Sequence, residues 1–339
     1  MGVDLSDIIP HTQRQLSDFS GKTMAIDAYN TLYQFLATIR QPDGTPLMDR
    51  EGRITSHLSG LLYRTASIIE SGIRPVYVFD GKPPAEKKDT IKARSAIRQK
   101  AWEEWQMAKE AGDMEKAKSK AQQSSRLTKD MAGEAKQLLM HMGVPYVQAP
   151  SEGEAQACHM ALKGDVWAAA SQDFDSLLFG TPFLVRNLTI TGRRKLPRKN
   201  VYVDVAPEEI QLEAVLKELG VSREQLVDMA ILVGTDFNPG VKGIGPKKSL
   251  KLLKEYGTLE KVIEEKEIEV EGYQETREIF LDHKVTDEYE LEWAFPSTDN
   301  IKSFLCEGRG FSETRVSSAL KRMEKGAGKR SQQSLDSWF

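Results

Sequence analysis

The feature that most constrains this chain is a recurrence: four short apolar runs each lead into carboxylates. "TMAIDAYN" (23–30) leads to Asp27, and "RPVYVFDGKPP" (74–84) to Asp80. "GVPYVQAPSEGE" (143–154) leads to Glu152 and Glu154, and "DVWAAASQDFD" (165–175) to Asp173 and Asp175. Helix-period segments at 54–70, 86–111, 127–142 and 152–163 separate the runs. Strand-like runs alternating with helical ones predict an α/β fold, a mostly parallel twisted sheet with helices on both faces. In such sheets ligands sit beyond the carboxyl ends of the strands, where these acids would collect. An unpaired buried carboxylate costs on the order of several kcal/mol, so a cluster of them needs a reason. The chain is expected to turn at or just before Asp173, where the apolar run gives way to the two acids.

Asp236, after the helical stretch "SREQLVDMAILVG" (222–234), brings the set to seven. Their convergence would demand cations, and an all-oxygen donor set suits Mg²⁺, with Mn²⁺ as a substitute, rather than zinc. Two such ions about 4 Å apart activate water and stabilise the leaving oxygen in phosphodiester cleavage. Each acid also has a plainer reading. Ser151 to Glu154 fits a capping box, and Asp80 with Gly81 fits an ordinary turn. "DFDS" also fits the Asp-x-Asp of aspartyl-phosphate phosphatases, but it stands mid-chain after three other carboxylate-bearing strand ends. A catalytically silent scaffold would not need the full set.

Charge distribution points the same way. The 47 Lys and Arg against 50 Asp and Glu give a net charge of −3. With the seven acids set aside, 43 remain against the 47. Residues 82–129 hold 13 basic residues, 186–199 hold six and 241–254 hold five, the last two segments without an acid. Three such segments in an acidic chain fit a phosphate-binding face. The segment 83–130 is long, charged and lacks a clean apolar stripe. It reads as a helical arch over the strand ends, or as a surface hairpin, broken in two at Gly112. "GVKGIGPKKS" (240–249) has the glycine spacing of a P-loop, but Pro246 stands where lysine is required. It reads better as a glycine turn between helices that aims backbone N–H groups, Lys247 and Lys248 at phosphates without reading bases.

Beyond Gly308, "FSETRVSSALKRMEK" reads as a helix and "GAGKRSQQSLDSWF" as a flexible tail. Gln332, Leu335, Trp338 and Phe339 in that tail are spaced as an anchor for a partner's pocket. No apolar run approaches the length of a membrane span, and the N-terminus lacks a secretory pattern. Cys158 and Cys306 show no metal spacing, which predicts reduced thiols in an intracellular, cytoplasmic protein.

Taken together, "MGVDL", "AIDAYNTLYQFL", "VYVFDGKPP", "APSEGEAQA", "SQDFDSLLFG", "VGTDFNPGVKGIGPKK" and the tail resemble the structure-specific 5′ nucleases. The closest resemblance is to the flap endonucleases of archaeal type, and it runs nearly the whole chain. It implies a PIN/5′ nuclease-like fold with a helical arch and an H2TH-like helix–turn–helix. It also implies one nuclease domain over 1–325, comprising an N-terminal region (about 1–98), the arch (about 83–130), an internal region (about 116–258) and C-terminal helices (about 259–325). A flexible tail would follow over 326–339, without the basic extension of eukaryotic relatives.

The resemblance implies roles for individual residues as well. The seven carboxylates would hold two Mg²⁺ ions. Lys87 and Arg94 would contact the scissile phosphate, Tyr33 would stack on a base, and Gly2 would lie close to the site. Arg40, Arg64 and Arg186 would contact the DNA backbone. The turn at Gly243 and Gly245 would track the duplex and bind K⁺. Thr55, Phe311 and Arg315 would form a pocket for a one-nucleotide 3′ flap. The activity implied is 5′ flap endonuclease with 5′–3′ exonuclease, acting as a monomer on branched DNA at a sliding clamp, in replication and repair. Related exonucleases and bubble or junction nucleases would share the carboxylates.

Overall fold

The computed structural model describes the backbone of residues 2–190, 193–195 and 202–336, and side chains within 2–190 and 204–326. The chain opens with β1 (Thr12–Gln13), β2 (Thr23–Asp27), α1 (Ala28–Thr38), α2 (Ser56–Glu70) and β3 (Arg74–Phe79). Next come α3 (Lys88–Glu110), α4 (Met114–Gln123), α5 (Lys129–His141), β4 (Tyr146–Gln148), α6 (Gly153–Lys163), β5 (Ala168–Ala170), α7 (Asp175–Phe179) and β6 (Phe183–Arg186). The remainder is β7 (Arg193–Lys195), β8 (Tyr202–Asp204), β9 (Glu208–Gln211), α8 (Leu212–Leu219), α9 (Arg223–Val233), α10 (Pro246–Tyr256), α11 (Leu259–Lys266), α12 (Tyr273–Leu281), α13 (Thr298–Lys302) and α14 (Glu313–Asp336).

Seven strands form one sheet in the order β1-β9-β6-β5-β2-β3-β4. The pairs β5–β6, β2–β5, β2–β3 and β3–β4 are parallel, while β9 runs antiparallel to β6 and β1. The expected mostly parallel sheet is therefore present, closed at one edge by two short antiparallel strands. From β2 the order proceeds to β3 and β4 on one side and to β5 and β6 on the other. That reversal opens a crevice at the carboxyl ends of β2 and β5, where open α/β sheets bind ligands.

Residue alternation explains why both faces are covered. Met24, Ile26, Tyr77 and Phe79 point into a core built with α1, α2, α5 and α14. Their neighbours Ala25, Val76 and Val78 point the other way, onto Ala157, Met160 and Ala161 of α6. A period of two with both faces apolar is the pattern of a sheet buried on both sides. A third core, around Leu226, Met229, Ile231, Leu252, Val262 and Phe280, unites α8 to α12. An extended strap also crosses the α6 face. Tyr289, Leu291 and Trp293 alternate with glutamates and pack on that core, and Trp293 Nε1 donates to the Pro75 carbonyl at 2.9 Å.

The charged segment forms two helices, α3 and α4, parted at Gly112, whose φ of +72° suits glycine. Its far end has a small core of its own, Trp105, Ala108, Ala117 and Ala121. That end rests on the α1–α2 loop, where Lys109 pairs with Asp43 at 3.0 Å and Arg40 donates to Ser125 Oγ at 2.8 Å.

The C-terminus departs from expectation. Helix α14 continues to Asp336, through residues read as flexible linker. The reason is visible at Gly326, where a Cβ would lie 2.0 Å from the Ile69 carbonyl oxygen of α2. This glycine permits close helix packing, and Arg322 and Lys325 add pairs to Glu70 at 2.7 and 3.3 Å. Gln332 and Leu335 thus lie on helical backbone, while Trp338 and Phe339 lie outside the described residues. Both cysteines are free thiols, Cys158 being buried. Among the described residues no helix is long and apolar enough to cross a membrane.

Candidate active site at the carboxyl edge of the sheet

Each strand delivers its acid where its hydrogen-bonded run stops. Asp27 is the last residue of β2 and the N-cap of α1, its Oδ1 accepting from the Asn30 N–H at 3.0 Å. Asp80 follows β3 and accepts from the Gly153 N–H at 2.7 Å, which ties it to the start of α6. Glu152 is the N-cap residue of α6, and Glu154 lies in its first turn. The capping-box alternative does not form, because Ser151 Oγ donates instead to the Lys82 carbonyl at 3.3 Å. After β5 the chain bends over 171–174, so Asp173 sits in the bend and Asp175 opens α7. The chain thus turns where the sequence leads one to expect it, at the end of the apolar run. Asp236 stands in the loop after α9, which is closed by Thr235 and Asn238 hydrogen bonding to each other.

These acids share one electrostatic environment. Burial pushes the Asp27 carboxyl up to about 8, with repulsion from Asp80 and Asp173 adding to it. Burial likewise pushes Asp175 up to about 7, helped by Asp173 and Asp236. Glu154 is raised by burial and by Asp175, Asp173 and Asp27. Asp80 and Glu152 are raised chiefly by burial, although Lys87 pulls both down.

Cations arrive from the segment after β3. Lys87, just before α3, contacts Glu152 and lies 3.9 Å from Asp236, with its Nζ 5.6 Å from the centre of the Phe237 ring. Arg94, on α3, reaches Asp236 at 2.5 Å. Thr90 Oγ1 donates to the Asp236 carbonyl at 2.8 Å. The first arch helix therefore leans on the carboxylate cluster and supplies its positive charge. Among the described residues no three ligands stand close enough to hold a metal ion as they are. Even so, the donor set is all carboxylate oxygen and its charge is only partly offset. That chemistry fits hard divalent cations.

Some supporting residues escaped the sequence reading. Asn30 Nδ2 donates to Asp173 at 3.0 Å, and Ser171 and Ser176 hydroxyls donate to Glu154 at 2.7 and 3.0 Å. Both serines flank the Asp-x-Asp in "SQDFDS", and Asn30 lies one helical turn past Asp27. Those spacings were the available signal. Gly2 lies against the cluster as expected. A Cβ there would be 2.0 Å from Asp175 Oδ1, and that oxygen accepts the Val3 N–H at 2.9 Å.

With this geometry in place, comparison with known proteins is decisive. Residues 1–101 match the XPG N-terminal domain and residues 143–236 the XPG I-region. Flap endonuclease 1 of Thermococcus onnurineus is 54% identical over 341 residues, covering 100% of this chain and 99% of that protein. The chain belongs to the flap endonuclease 1 family. Solved structures agree with this membership. Flap endonuclease-1 from Methanococcus jannaschii is similar with a TM-score of 0.77 at 43% identity, covering 97% of this chain and 100% of its own. The catalytic core of Rad2 in complex with DNA substrate is similar with a TM-score of 0.68 at 25% identity, covering 91% and 95%.

In this member of the flap endonuclease 1 family, the remaining candidates fall into four groups. Tyr33, on α1, carries Arg98 of α3 at 4.7 Å from its ring centre. Arg40, Arg64 and Arg186 are all partly buried. Arg186 pairs with Glu208 at 3.0 Å and lies over the Phe174 ring, and Arg40 also donates to the Gly44 carbonyl at 2.7 Å. Gly243 takes φ +84° and Gly245 caps α10, which puts the exposed Lys247 and Lys248 in its first turn. Lys248 folds back on the Gly243 carbonyl at 3.4 Å, and Lys247 faces Asp7 at 3.5 Å. Thr55 is the buried N-cap residue of α2, Phe311 packs on the core that α1, α2 and α14 share, and Arg315 lies over the ring of Tyr63, two turns along α2, at 5.1 Å.

Proposed function

We propose that this chain is a Mg²⁺-dependent, structure-specific 5′ flap endonuclease with 5′–3′ exonuclease activity. The observation that carries the reading is the set of seven carboxylates at the β2/β5 crevice, with Lys87 and Arg94 brought onto them by the arch. Bound among these acids, two divalent cations would activate a water and stabilise the leaving oxygen. Asp27, Asp80, Glu152, Glu154, Asp173, Asp175 and Asp236 would hold them, directly or through water, with Mn²⁺ able to substitute.

The chain's own residues do the rest. Asn30, Ser171, Ser176 and the Gly153 N–H fix carboxylate orientations, as supporting hydrogen bonds around a metal centre do. Lys87 and Arg94, which pair with Glu152 and Asp236 here, would turn from these carboxylates to the scissile phosphate. There they stabilise the charge that develops on its oxygens. Tyr33 stacks on a base beside the cut. Arg40, Arg64, Arg186, Lys247, Lys248 and the Gly243–Gly245 turn contact backbone phosphates, and the turn would also hold K⁺. None of these contacts reads a base, so shape rather than sequence selects the substrate. Thr55, Phe311 and Arg315 receive a one-nucleotide 3′ flap. Gln332, Leu335, Trp338 and Phe339 engage a sliding clamp. These roles place a monomeric, cytoplasmic enzyme in replication and repair.

Cleavage of end-labelled flap, nick, bubble and four-way junction substrates tests the reading. A single cut near the flap junction, much faster than cutting of bubble or four-way junction, is expected. Preference for the four-way junction would assign the chain to a junction nuclease instead.

A further inference from the structure

A polar node built on the buried His57 lies next in the chain to two residues assigned to the 3′-flap pocket, and none of the roles above uses it. His57, in the first turn of α2, is wholly buried, and its Nε2 lies 3.0 Å from Glu134 Oε2 of α5. Arg309 Nη2 contacts the other Glu134 oxygen. Three distant stretches of sequence thus meet on one carboxylate. Arg309 belongs to the turn 308–310, whose Gly310 has φ +67°. That turn is held otherwise by Arg53 Nη2 on the Gly308 carbonyl at 2.8 Å and by the Phe311 N–H on the Leu305 carbonyl at 3.0 Å. Thr55 stands two residues before His57, and Phe311 two residues after Arg309.

The node is not an economical way to stabilise a core. His57 Nδ1 and Arg309 Nε are buried and have no hydrogen-bond partner among the described residues. Each unsatisfied buried group costs about 1–3 kcal/mol. Buried ion pairs can often be replaced by apolar residues without loss of stability. What this arrangement supplies is position. Glu134 fixes the entrance of α2 and the 308–310 turn relative to each other, and those two segments carry Thr55 and Phe311.

We propose that His57 and Glu134 are positioning residues that set the spacing of the 3′-flap pocket and so its selectivity for a 3′-terminal unpaired nucleotide. The proposal rests on the pocket reading given above. It is tested with the full chain on two 5′-flap substrates, one with and one without a one-nucleotide 3′ flap. The wild type is expected to prefer the double flap. His57→Phe and Glu134→Gln should shrink that preference about fivefold or more, the worth of one net hydrogen bond or slightly above. The loss should appear in KM for the double flap, with kcat on the single flap unchanged. His57→Gln, whose amide can still donate to Glu134, should recover most of it. Equal losses on both substrates, or an unchanged preference, would overturn the role given to His57 and Glu134. A wild type without preference would overturn the pocket reading itself. If His57→Phe does not fold, Glu134→Gln and Glu134→Asp give the same readout.

Discussion

Asp27 and Asp175 sit where burial and neighbouring acids raise their carboxyls to about 8 and about 7. The folded state therefore binds more protons than the unfolded chain between the ordinary carboxylate range and pH about 8. Stability contributed by these groups falls as pH rises through that window, which is the reverse of a salt-bridged acid. Divalent cations favour the deprotonated forms, so the gain in Tm on adding Mg²⁺ should grow from about pH 6 to about pH 8. Calorimetry with Mg²⁺ and with a chelator reads this directly, and a pH-independent gain would contradict it. Lys87→Ala should lower the cleavage rate on the order of a hundredfold or more while leaving flap binding nearly intact, as loss of one transition-state contact does. Single-turnover kinetics separates the two. The acids could be picked out of the sequence because charge inside apolar runs is anomalous. Asn30, Ser171 and Ser176 were marked only by their spacing from those acids, a weak signal, since small polar residues near a turn are ordinary until their partners are seen.

At the scale of elements, helices 54–70, 86–111, 127–142 and 152–163 were legible from period and breakers, each ending within a few residues of its observed bounds. The α14 extension was not. Gly326 and Gly328 read as linker, and only the approach to Ile69 shows Gly326 as a packing residue. Gly→Ala inside a helix ordinarily gains up to about 1 kcal/mol. Here the added methyl meets backbone, and Gly326→Ala should instead cost about 1–3 kcal/mol, the usual range for overpacking. Urea unfolding decides the sign. The strap over α6 also hid. Its alternation of Tyr289, Leu291 and Trp293 with glutamates imitates a strand, yet it packs on a helix without joining the sheet. Removing residues 332–339 should leave cleavage of bare DNA intact and abolish stimulation by the clamp. Stimulation that survives the truncation would refute the tail's role.

The whole molecule is a sheet whose strand order reverses between β2 and β5, with the acids gathered at that reversal and the arch resting on them. Parallel strands with both faces covered could be inferred from four apolar runs. The antiparallel edge of β1 and β9 could not, because Thr12–Gln13 and Glu208–Gln211 are too short and polar to stand out. The central claim is that the gathered carboxylates, loaded with divalent cations, cut a flap. Cleavage of an end-labelled 5′ flap by the wild type and by Asp175→Ala, each with and without Mg²⁺, measures it most directly. The wild type should cut only with Mg²⁺, and Asp175→Ala should bind the flap with near-native affinity and not cut it. Full cutting by Asp175→Ala, or by the wild type in chelator, would contradict the account.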